Sequence, residues 1–283
     1  MKKIRKRQLP EGWYPSSPEK IRDFLRPLPQ ELKADAVIAP HAGWFYAGKI
    51  AGRAIAALNP DAETVAVLGG HLSAERPFRF FEEDGLETPL GILPIDTEFR
   101  DLLMETLGKK YPLLWDPEPD NTIEVLLPMI AYFFPKAQIL PFRLPGTLAS
   151  FQAGEIVAGI ASALQRKVGV VGSTDLTHYG KNYRFAPRGY GKPALEWMKT
   201  VNDRAFIDAL LEGVPETILA RAEQDYSACS VGAVLGALGF AQARGAVTGT
   251  LLCYGTSAEA PFPQETLPDS FVGYGAAAWT CQS

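Results

Sequence analysis

Short runs of apolar residues recur along the chain, and turn-forming residues bound each run. The runs are rich in β-branched side chains and contain few charges. Because a strand that is buried on both faces reads as a continuous apolar run, this pattern predicts buried strands. The predicted strands are Ala36–Ala39, Thr64–Leu68, Gln138–Phe142, Lys167–Val171, Val247–Tyr254 and Phe271–Trp279.

Segments with apolar residues at helical spacing lie between these runs. The predicted helices are Gly48–Leu58, Thr97–Leu107, Ile123–Phe134, Ala149–Leu164, Pro193–Leu211 and Ser227–Arg244. Such alternation predicts an α/β fold with a mixed, mostly parallel sheet flanked by helices. The sequence contains neither an internal repeat nor a long linker, so residues 1–283 are expected to form a single domain.

The composition narrows the classes of protein that the chain can represent. It is 47% hydrophobic and 21% charged, which is typical of a globular protein and excludes a largely disordered one. The net charge of −4 argues against a nucleic-acid partner. No apolar stretch is long enough to span a bilayer, so no membrane partner is expected either.

A run of basic residues occupies the N-terminus, from Lys2 to Arg7. A signal peptide would continue with an apolar segment, but Gln8, Pro10 and Glu11 follow instead. We therefore expect residues 1–11 to form a solvated, partly frayed basic tail, and we expect a cytoplasmic protein.

The chain has three cysteines, Cys229, Cys253 and Cys281. An odd number without CxxC spacing excludes a disulfide framework and a zinc ribbon. Cys229 lies near the start of a predicted helix, where a thiolate is favoured. A small buried packing residue would explain Cys229 equally well.

The three histidines occupy equivalent places in the predicted topology. His41, His71 and His178 each follow a predicted buried strand within about seven residues, in a loop that contains glycine. Ligands of open α/β sheets bind beyond the carboxyl ends of the strands, so the three imidazoles are expected to meet in one cleft. Neutral imidazoles suit a transition metal ion and also suit acid–base chemistry.

Several acids lie near these histidines. Asp175 precedes His178 by three residues, and Asp120 and Glu124 flank Asn121 at the start of a predicted helix. The two helix-start acids are explained equally well by local roles, Asp120 as an N-cap and Glu124 as a first-turn acid.

A set of ordered motifs resembles those of a known family. The motifs are GWYP at Gly12–Pro15, PHAGWFYAG at Pro40–Gly48, LGGH at Leu68–His71, DNTIEVLLP at Asp120–Pro128 and STDLTHYG at Ser173–Gly180. In this order they resemble the Memo family, whose bacterial members are called AmmeMemoRadiSam system protein B. The resemblance extends from Gly12 to the C-terminal SFVGYGAAAWT segment.

The resemblance implies a single α/β domain related in fold to class III extradiol dioxygenases, which use non-haem ferrous iron. In Memo-like proteins the matching pocket has two histidines and a cysteine that can bind iron or copper. Carried onto this chain, the metal ligands would be His41, His71 and, as third ligand, Cys229. Asp175 and His178 would be neighbouring pocket residues.

Three departures from the family pattern affect the expected chemistry. Asn121 stands where the family usually has a histidine, and Gly69-Gly70-His71 replaces a G-P-x-H motif. Tyr226 aligns with the family cysteine, and Cys229 follows three residues later. Three residues is nearly one helical turn, so Cys229 is expected to face the pocket if this segment is helical.

Two main functions follow from these residues. The first is a dioxygenase-type oxidoreductase with iron(II) or copper, in which His178 acts as the acid–base residue with support from Asp175. The second is a non-catalytic protein that binds a peptide or metabolite in the same cleft. The aromatic residues beside the histidines would form the cleft walls, unless they are ordinary core residues: Trp44, Phe45, Tyr46 and Tyr179.

A third function, a cysteine hydrolase, requires Cys229 to lie within hydrogen-bond reach of a histidine. The ligand in any of these functions is a small molecule or a peptide, and a homo-oligomer is possible.

Overall fold

The computed structural model describes residues 2–30, 32–260 and 267–281. The strands, in chain order, are β1 (Ile4–Arg5), β2 (Ala36–Ala39), β3 (Thr64–Leu72), β4 (Phe78–Phe80), β5 (Gly85–Thr88), β6 (Gly91–Pro94), β7 (Leu113–Trp115), β8 (Gln138–Pro145), β9 (Val168–Ser173), β10 (His178–Gly180), β11 (Thr250–Thr256) and β12 (Ser270–Trp279). The helices are α1 (Pro18–Leu25), α2 (Trp44–Ala56), α3 (Thr97–Gly108), α4 (Asn121–Glu124), α5 (Leu127–Phe133), α6 (Leu148–Ala163), α7 (Lys192–Trp197), α8 (Asp203–Glu212), α9 (Pro215–Asp225) and α10 (Val231–Ala243).

A mixed sheet forms the centre of a single α/β domain. Its strand order is β10-β12-β2-β9-β3-β8-β4-β7, and β11 pairs with β12. The four central strands, β2, β9, β3 and β8, run parallel. Antiparallel pairs flank them on both sides, through β12 and through β4. The predicted mixed α/β architecture is therefore confirmed, with its main parallel block in the middle of the sheet.

Two apolar layers cover the faces of the sheet. Along β2, Ala36 and Ile38 belong to one layer, whereas Val37 and Ala39 belong to the other. Such alternation arises because successive side chains of a strand point to opposite faces. Helices α3, α6, α8, α9 and α10 supply the first layer, and helices α1, α2 and α5 supply the second. This double coverage explains why the central strands read as continuous apolar runs.

Helices α6 and α10 pack against each other with unusually close backbones. A Cβ atom on Gly154 would lie 1.9 Å from the carbonyl oxygen of Gly236, and one on Gly239 would lie 2.0 Å from that of Phe151. Only glycine permits this approach. The close packing fixes α10, whose start carries the segment next to Cys229.

Two predicted helices differ from the observed ones in physically interpretable ways. Ile123–Phe134 is divided into α4 and α5, because Pro128 cannot continue a helix past the carbonyl of Glu124. Pro193–Leu211 is divided into α7 and α8 by a π-helical turn at Met198–Asn202. Helices α1 and α9 and the short strands were not predicted.

The N-terminal segment is docked on the domain, which corrects the expectation of a frayed tail. Strand β1 pairs in parallel with β5, and β5 pairs with β6 to form a second, small sheet. Arg5 forms an ion pair with Glu83 at 3.2 Å. The backbone N–H groups of Gln8 and Leu9 donate to the carboxylate of Glu124. Of this segment, Glu11 lines the cleft that contains the histidines.

Within the described ranges, no helix is both long enough and apolar enough to cross a membrane.

Candidate functional site

Three side chains with metal-ligating atoms converge beyond the carboxyl ends of the central strands. His41 follows β2, His71 lies in an irregular part of β3, and Cys229 precedes α10. Their ligand atoms all lie within 4.8 Å of one another. Sγ of Cys229 is 3.2 Å from Nε2 of His41, and the two imidazole centroids are 4.9 Å apart. The structure thus brings together the three residues expected from the sequence.

The pairing of β2 with β9 positions His41. Ala39 lies beside Ser173 in this pairing, and Oγ of Ser173 is 3.0 Å from Nδ1 of His41. The backbone N–H of His41 donates to Oδ1 of Asp175 at 2.8 Å. The imidazole is buried. A proton on Nδ1, donated to Ser173, leaves the lone pair of Nε2 on the side of Cys229.

A strained turn positions His71. Its φ angle is +59°, a left-handed conformation that is uncommon for residues other than glycine. The backbone N–H of His71 donates to Oγ of Ser230, and that of Gly70 donates to Oγ1 of Thr122. A Cβ atom on Gly70 would lie 2.3 Å from Cβ of Ser230. The Gly69-Gly70-His71 sequence therefore fits this turn, although it differs from the family's G-P-x-H pattern.

A series of buried charged side chains lies next to His71. Oδ2 of Asp120 is 3.6 Å from Nδ1 of His71 and 3.3 Å from a guanidinium nitrogen of Arg143. Arg143 also pairs with Asp116 at 3.1 Å and donates through Nε to the carbonyl of Gly70. Asp120 is at the same time the N-cap of α4, where it accepts from the backbone of Thr122. Asp120 is therefore the N-cap of α4 and also lies close to His71.

Cys229 lies at the site, but the backbone that positions it differs from the expected helix. The segment between α9 and α10 is not helical, and Tyr226 is 66% exposed in a left-handed conformation. The backbone N–H of Cys229 instead donates to the carbonyl of Asp175 at 3.2 Å, which ties this loop to the end of β9. The segment is thus not helical, which was the condition for the expected approach, yet the thiol does lie beside the histidines.

The three groups shift one another's pKa values. Burial raises the pKa of the Cys229 thiol, but the charge of His41 and hydrogen bonds from both imidazoles outweigh burial and hold this pKa well below its usual range. Burial lowers the pKa of His71, but hydrogen bonds to Asp120 and Cys229 raise it to about 10. Burial also lowers the pKa of His41. The charge of Cys229 raises it, and the net effect is a raised pKa. The cluster therefore favours a thiolate next to protonated imidazole.

A cleft of about 610 Å³ opens beside these residues. His41, His71 and His178 all line it, so the predicted meeting of the three histidines in one cleft is confirmed. Nδ1 of His178 is 3.2 Å from the carbonyl of Leu176, and its ring packs edge-on against Tyr183. The remaining lining includes several aromatic and polar residues: Trp13, Tyr46, Asn121, Asp175, Asn182, Tyr183 and Tyr274.

Asn121 and Asp175 both fix the backbone at His41. Nδ2 of Asn121 donates to the carbonyl of His41 at 3.2 Å. Oδ1 of Asp175 accepts from the N–H groups of His41 and Ala42. The carboxylate of Asp175 is thus directed at the His41 segment. Burial raises the pKa of Asp175, and the charge of His41 opposes this rise.

Three of the residues predicted to line the cleft instead contact other parts of the structure. Tyr179 is fully buried and stacks on Phe271, on the opposite side of β10 from His178. Trp44 is buried, and its indole N–H donates to the carbonyl of Val125. Glu124 holds the N-terminal segment and the Tyr14 hydroxyl, away from the cleft. Of the four predicted aromatic walls, all within the described ranges, Tyr46 alone lines the cleft, and Phe45 is an exposed residue of α2 outside the cleft lining.

Sequence reasoning missed several residues that shape the site. Arg143 gave the clearest signal, because a charged residue inside an otherwise apolar strand must find partners when it is buried. Ser173 and Ser230 gave no comparable signal, since a small polar residue near a strand or helix end usually has a local role. Tyr183 and Tyr274 reach the cleft from segments that are distant in the sequence.

Comparisons with known proteins agree with the motifs. The profile of the Memo-like protein family matches residues 5–278. A MEMO1 family protein of Pyrococcus abyssi is 31% identical over 282 residues, which cover 90% of this chain and 91% of that protein. One of Pyrococcus furiosus is 29% identical and covers 96% of this chain and 97% of its own. The crystal structure of an uncharacterized protein of Escherichia coli K12 has a TM-score of 0.46 and 14% identity, covering 85% of this chain and 99% of that one. This chain belongs to the Memo-like protein family.

Proposed function

We propose that His41, His71 and Cys229 hold a transition metal ion, iron(II) or copper, and that the protein is a metal-dependent oxidoreductase of dioxygenase type. Its substrate would be a small organic molecule in the adjacent cleft. The observation that carries this proposal is the convergence of three ligand atoms within 4.8 Å of one another, two of them from residues that line the cleft.

The donor set fits such an ion. Imidazole nitrogens together with a thiolate suit iron and copper better than magnesium or calcium. Each imidazole has its Nδ1 near a protein oxygen, from Ser173 for His41 and from Asp120 for His71. Partners of this kind orient the ligating nitrogen in metal sites. Three protein ligands also leave coordination positions open, as in catalytic sites.

The chain's own residues would handle the substrate and its protons. Because a carbonyl oxygen only accepts hydrogen bonds, the contact with Leu176 places a proton on Nδ1 of His178. In the tautomer that carries this proton, Nε2 has the lone pair and can exchange a proton with the substrate. Asp175 acts in this proposal as a positioning residue for His41. When bound, the metal would supply the redox chemistry that these side chains lack.

The first experiment measures metal content. Protein purified without oxygen or chelator should contain close to one equivalent of iron or copper per chain. The variants His71→Ala and Cys229→Ser should lose most of this metal while they retain the circular dichroism of the folded protein. Elemental analysis by mass spectrometry gives the readout.

Cys253→Ser is the matched control, because Cys253 is also a partly exposed free cysteine but lies outside the cluster. It should retain the metal. Metal content that is negligible in the wild type, or that is unchanged in Cys229→Ser, would contradict the proposal.

The second candidate function is ligand binding without turnover. The aromatic side chains of Trp13, Tyr46, Tyr183 and Tyr274 in the cleft favour it, since such walls suit a peptide or a metabolite. His178→Ala separates the two candidates. It should abolish turnover and leave ligand affinity nearly unchanged in an enzyme, whereas a binding protein shows no turnover to lose.

One observation supports the third candidate function, a cysteine hydrolase. Cys229 and His41 lie within hydrogen-bond distance, at 3.2 Å, as a nucleophile and base require. The close approach of His71 to the same thiol fits a metal site better than a nucleophile–base pair. Ester hydrolysis by metal-free protein, lost in Cys229→Ala, would favour the hydrolase.

A further inference from the structure

The cleft adjoins a second compartment, which the proposed metal chemistry does not use. This outer compartment has a volume of about 790 Å³. It shares Glu11, Gly12 and Tyr46 with the cleft, so the two spaces adjoin. Its apolar walls come mainly from the N-terminal segment and from α1 and α2: Tyr14, Phe24, Trp44, Phe45 and Ile50.

Helix α2 connects the two spaces. Gly43 at its N-terminal end lines the cleft beside His41, Tyr46 lines both spaces, and Lys49 lines the outer compartment. Tyr46 and Lys49 are three residues apart and therefore share one face of the helix. At 1.5 Å per residue, the helix advances about 9 Å from Gly43 to Lys49. A ligand that reaches from His41 to Lys49 is therefore longer than a single aromatic ring.

Within the described part of the chain, two lysines and two glutamates line the outer compartment. Lys20 of α1 and Lys49 of α2 both line it and are exposed. Glu259 also lines it, but its carboxylate pairs with Lys199 at 2.7 Å and accepts from the backbone of Thr256. Among the residues that the structure describes, no carboxylate forms an ion pair with either Lys20 or Lys49. Glu11 lines both spaces.

We propose that the ligand of this site is an elongated anion. Its flat, apolar part occupies the cleft between the aromatic walls, and its anionic group is held by Lys49 and Lys20, about 9 Å farther along α2 than Gly43. This inference rests on the proposed function only in taking the bound molecule to be a substrate. The two lysines and the outer compartment do not depend on any metal. Both lysines are exposed to solvent, so each contributes only a modest attraction.

The test compares three probes by isothermal titration calorimetry. Phenylbutyrate has the required length and charge, phenylbutyramide lacks the charge, and benzoate lacks the length. The wild type should bind phenylbutyrate about three- to tenfold more tightly than either of the others, as expected for exposed charges. Added salt should weaken the binding of phenylbutyrate and leave that of the amide unchanged.

The double variant Lys20→Met, Lys49→Met retains the apolar stems without the charges. It should bind phenylbutyrate and the amide equally. Lys136→Met is the matched control, because Lys136 is exposed next to the start of β8, at the opposite end of the sheet, and it should retain the wild-type preference. Equal affinities in the wild type, no binding of phenylbutyrate at millimolar concentration, or a preference that survives in the double variant would overturn the proposal.

The same titrations in Cys229→Ser distinguish this inference from the proposed function. A charge preference that persists in Cys229→Ser, in protein that never contains metal, leaves the inference intact while the metal function fails. If the protein binds metal but shows no preference for the charged probe, the inference fails and the proposed function stands.

Discussion

Asp175 joins the segments of His41 and Cys229, two residues that lie 188 positions apart in the sequence. Its carboxylate accepts from the backbone N–H of His41 at 2.8 Å, and its carbonyl accepts from the backbone N–H of Cys229 at 3.2 Å. Because Asp175 lies two residues after the end of β9, the end of one central strand positions both segments. The distance of 3.2 Å between Cys229 Sγ and His41 Nε2 thus depends on the sheet and not on the loops alone.

Cys229 should be the most reactive thiol of the native protein. All three cysteines are partly exposed, so their protonation states decide their reactivity. The imidazoles hold the pKa of Cys229 low against the effect of burial, whereas burial raises the pKa of Cys253. Iodoacetamide at neutral pH should therefore alkylate Cys229 about tenfold faster than Cys253, as measured by peptide mass spectrometry.

Bound metal should protect Cys229 from this reaction. Pre-incubation with iron(II) under anaerobic conditions or with copper should slow alkylation of Cys229 and leave the rate at Cys253 unchanged. Equal rates for the two cysteines in metal-free protein would contradict the thiolate assignment.

Removal of the Arg143 charge should damage both folding and the metal site. Arg143→Gln leaves the buried carboxylates of Asp116 and Asp120 without their cation, which costs about 3–5 kcal/mol of the free energy of unfolding. It also frees Asp120, which holds Nδ1 of His71, so metal affinity should fall about 10- to 100-fold. Urea unfolding and metal titration of the folded variant provide the two readouts.

Arg204→Gln provides the control for this change, because Arg204 forms an exposed pair with Asp208 on one helix face. Its effect on the free energy of unfolding should stay within about 0.5 kcal/mol, with metal affinity unchanged. A similar effect of both variants would show that the Arg143 network has no special role.

The central strands were predictable because burial on both faces leaves a strong pattern. The observed bounds of β2 are those predicted, Ala36–Ala39, and the carboxyl ends of β2, β3 and β9 lie together as expected. Short strands such as β4 and β7 carry too few residues for a recognisable pattern. The small sheet that docks the N-terminus depends on contacts between distant segments, which a local pattern does not contain.

Some site residues could also be placed from local sequence patterns, whereas others depend on contacts between distant segments. Strand alternation could have placed Tyr179 correctly, since the neighbour of His178 on β10 must face the other side of the sheet. Helical periodicity could have placed Trp44, which shares its buried stripe with Ala47, Ala51 and Ala54. The approach of Cys229 was not predictable by either rule, because a non-helical loop held by Asp175 produces it.

Asp203 should give the protein a distinct dependence of stability on pH. Burial raises its pKa from 3.8 to about 6, against the opposing hydrogen bonds from Thr177 and Tyr254. The folded state therefore holds a proton that the unfolded state releases between about pH 4 and pH 6. This contribution to the free energy of unfolding is fully present below about pH 4 and is lost as pH rises through about 6, a change of about 3 kcal/mol.

Asp203→Asn removes this titration. Urea unfolding at several pH values should show that the difference in stability between wild type and variant changes across this window and is flat on either side. Asp208→Asn, on the exposed face of the same helix, should follow the wild-type profile. Parallel profiles for wild type and Asp203→Asn would contradict the raised pKa.

Ring cleavage of catechols should be weak or absent even in protein loaded with iron(II). His178 remains available for proton transfer, but Asn121 stands where the family resemblance places another histidine, and an amide does not exchange protons at neutral pH. The Asn121 side chain instead donates to the carbonyl of His41, a purely structural contact. Each missing acid–base residue lowers a rate by about 10²–10⁴-fold.

Oxygen uptake after anaerobic iron(II) reconstitution, measured across a panel of catechols, tests this expectation. Asn121→His should raise uptake above the wild-type level, provided that metal content is equal in the two proteins, because the new imidazole lines the cleft beside His41 and His71. The double variant Asn121→His, His178→Ala should lose that gain, since both proton-transfer groups are then needed. Robust uptake by the wild type, abolished by His178→Ala alone, would show that His178 is sufficient and that Asn121 does not limit the chemistry.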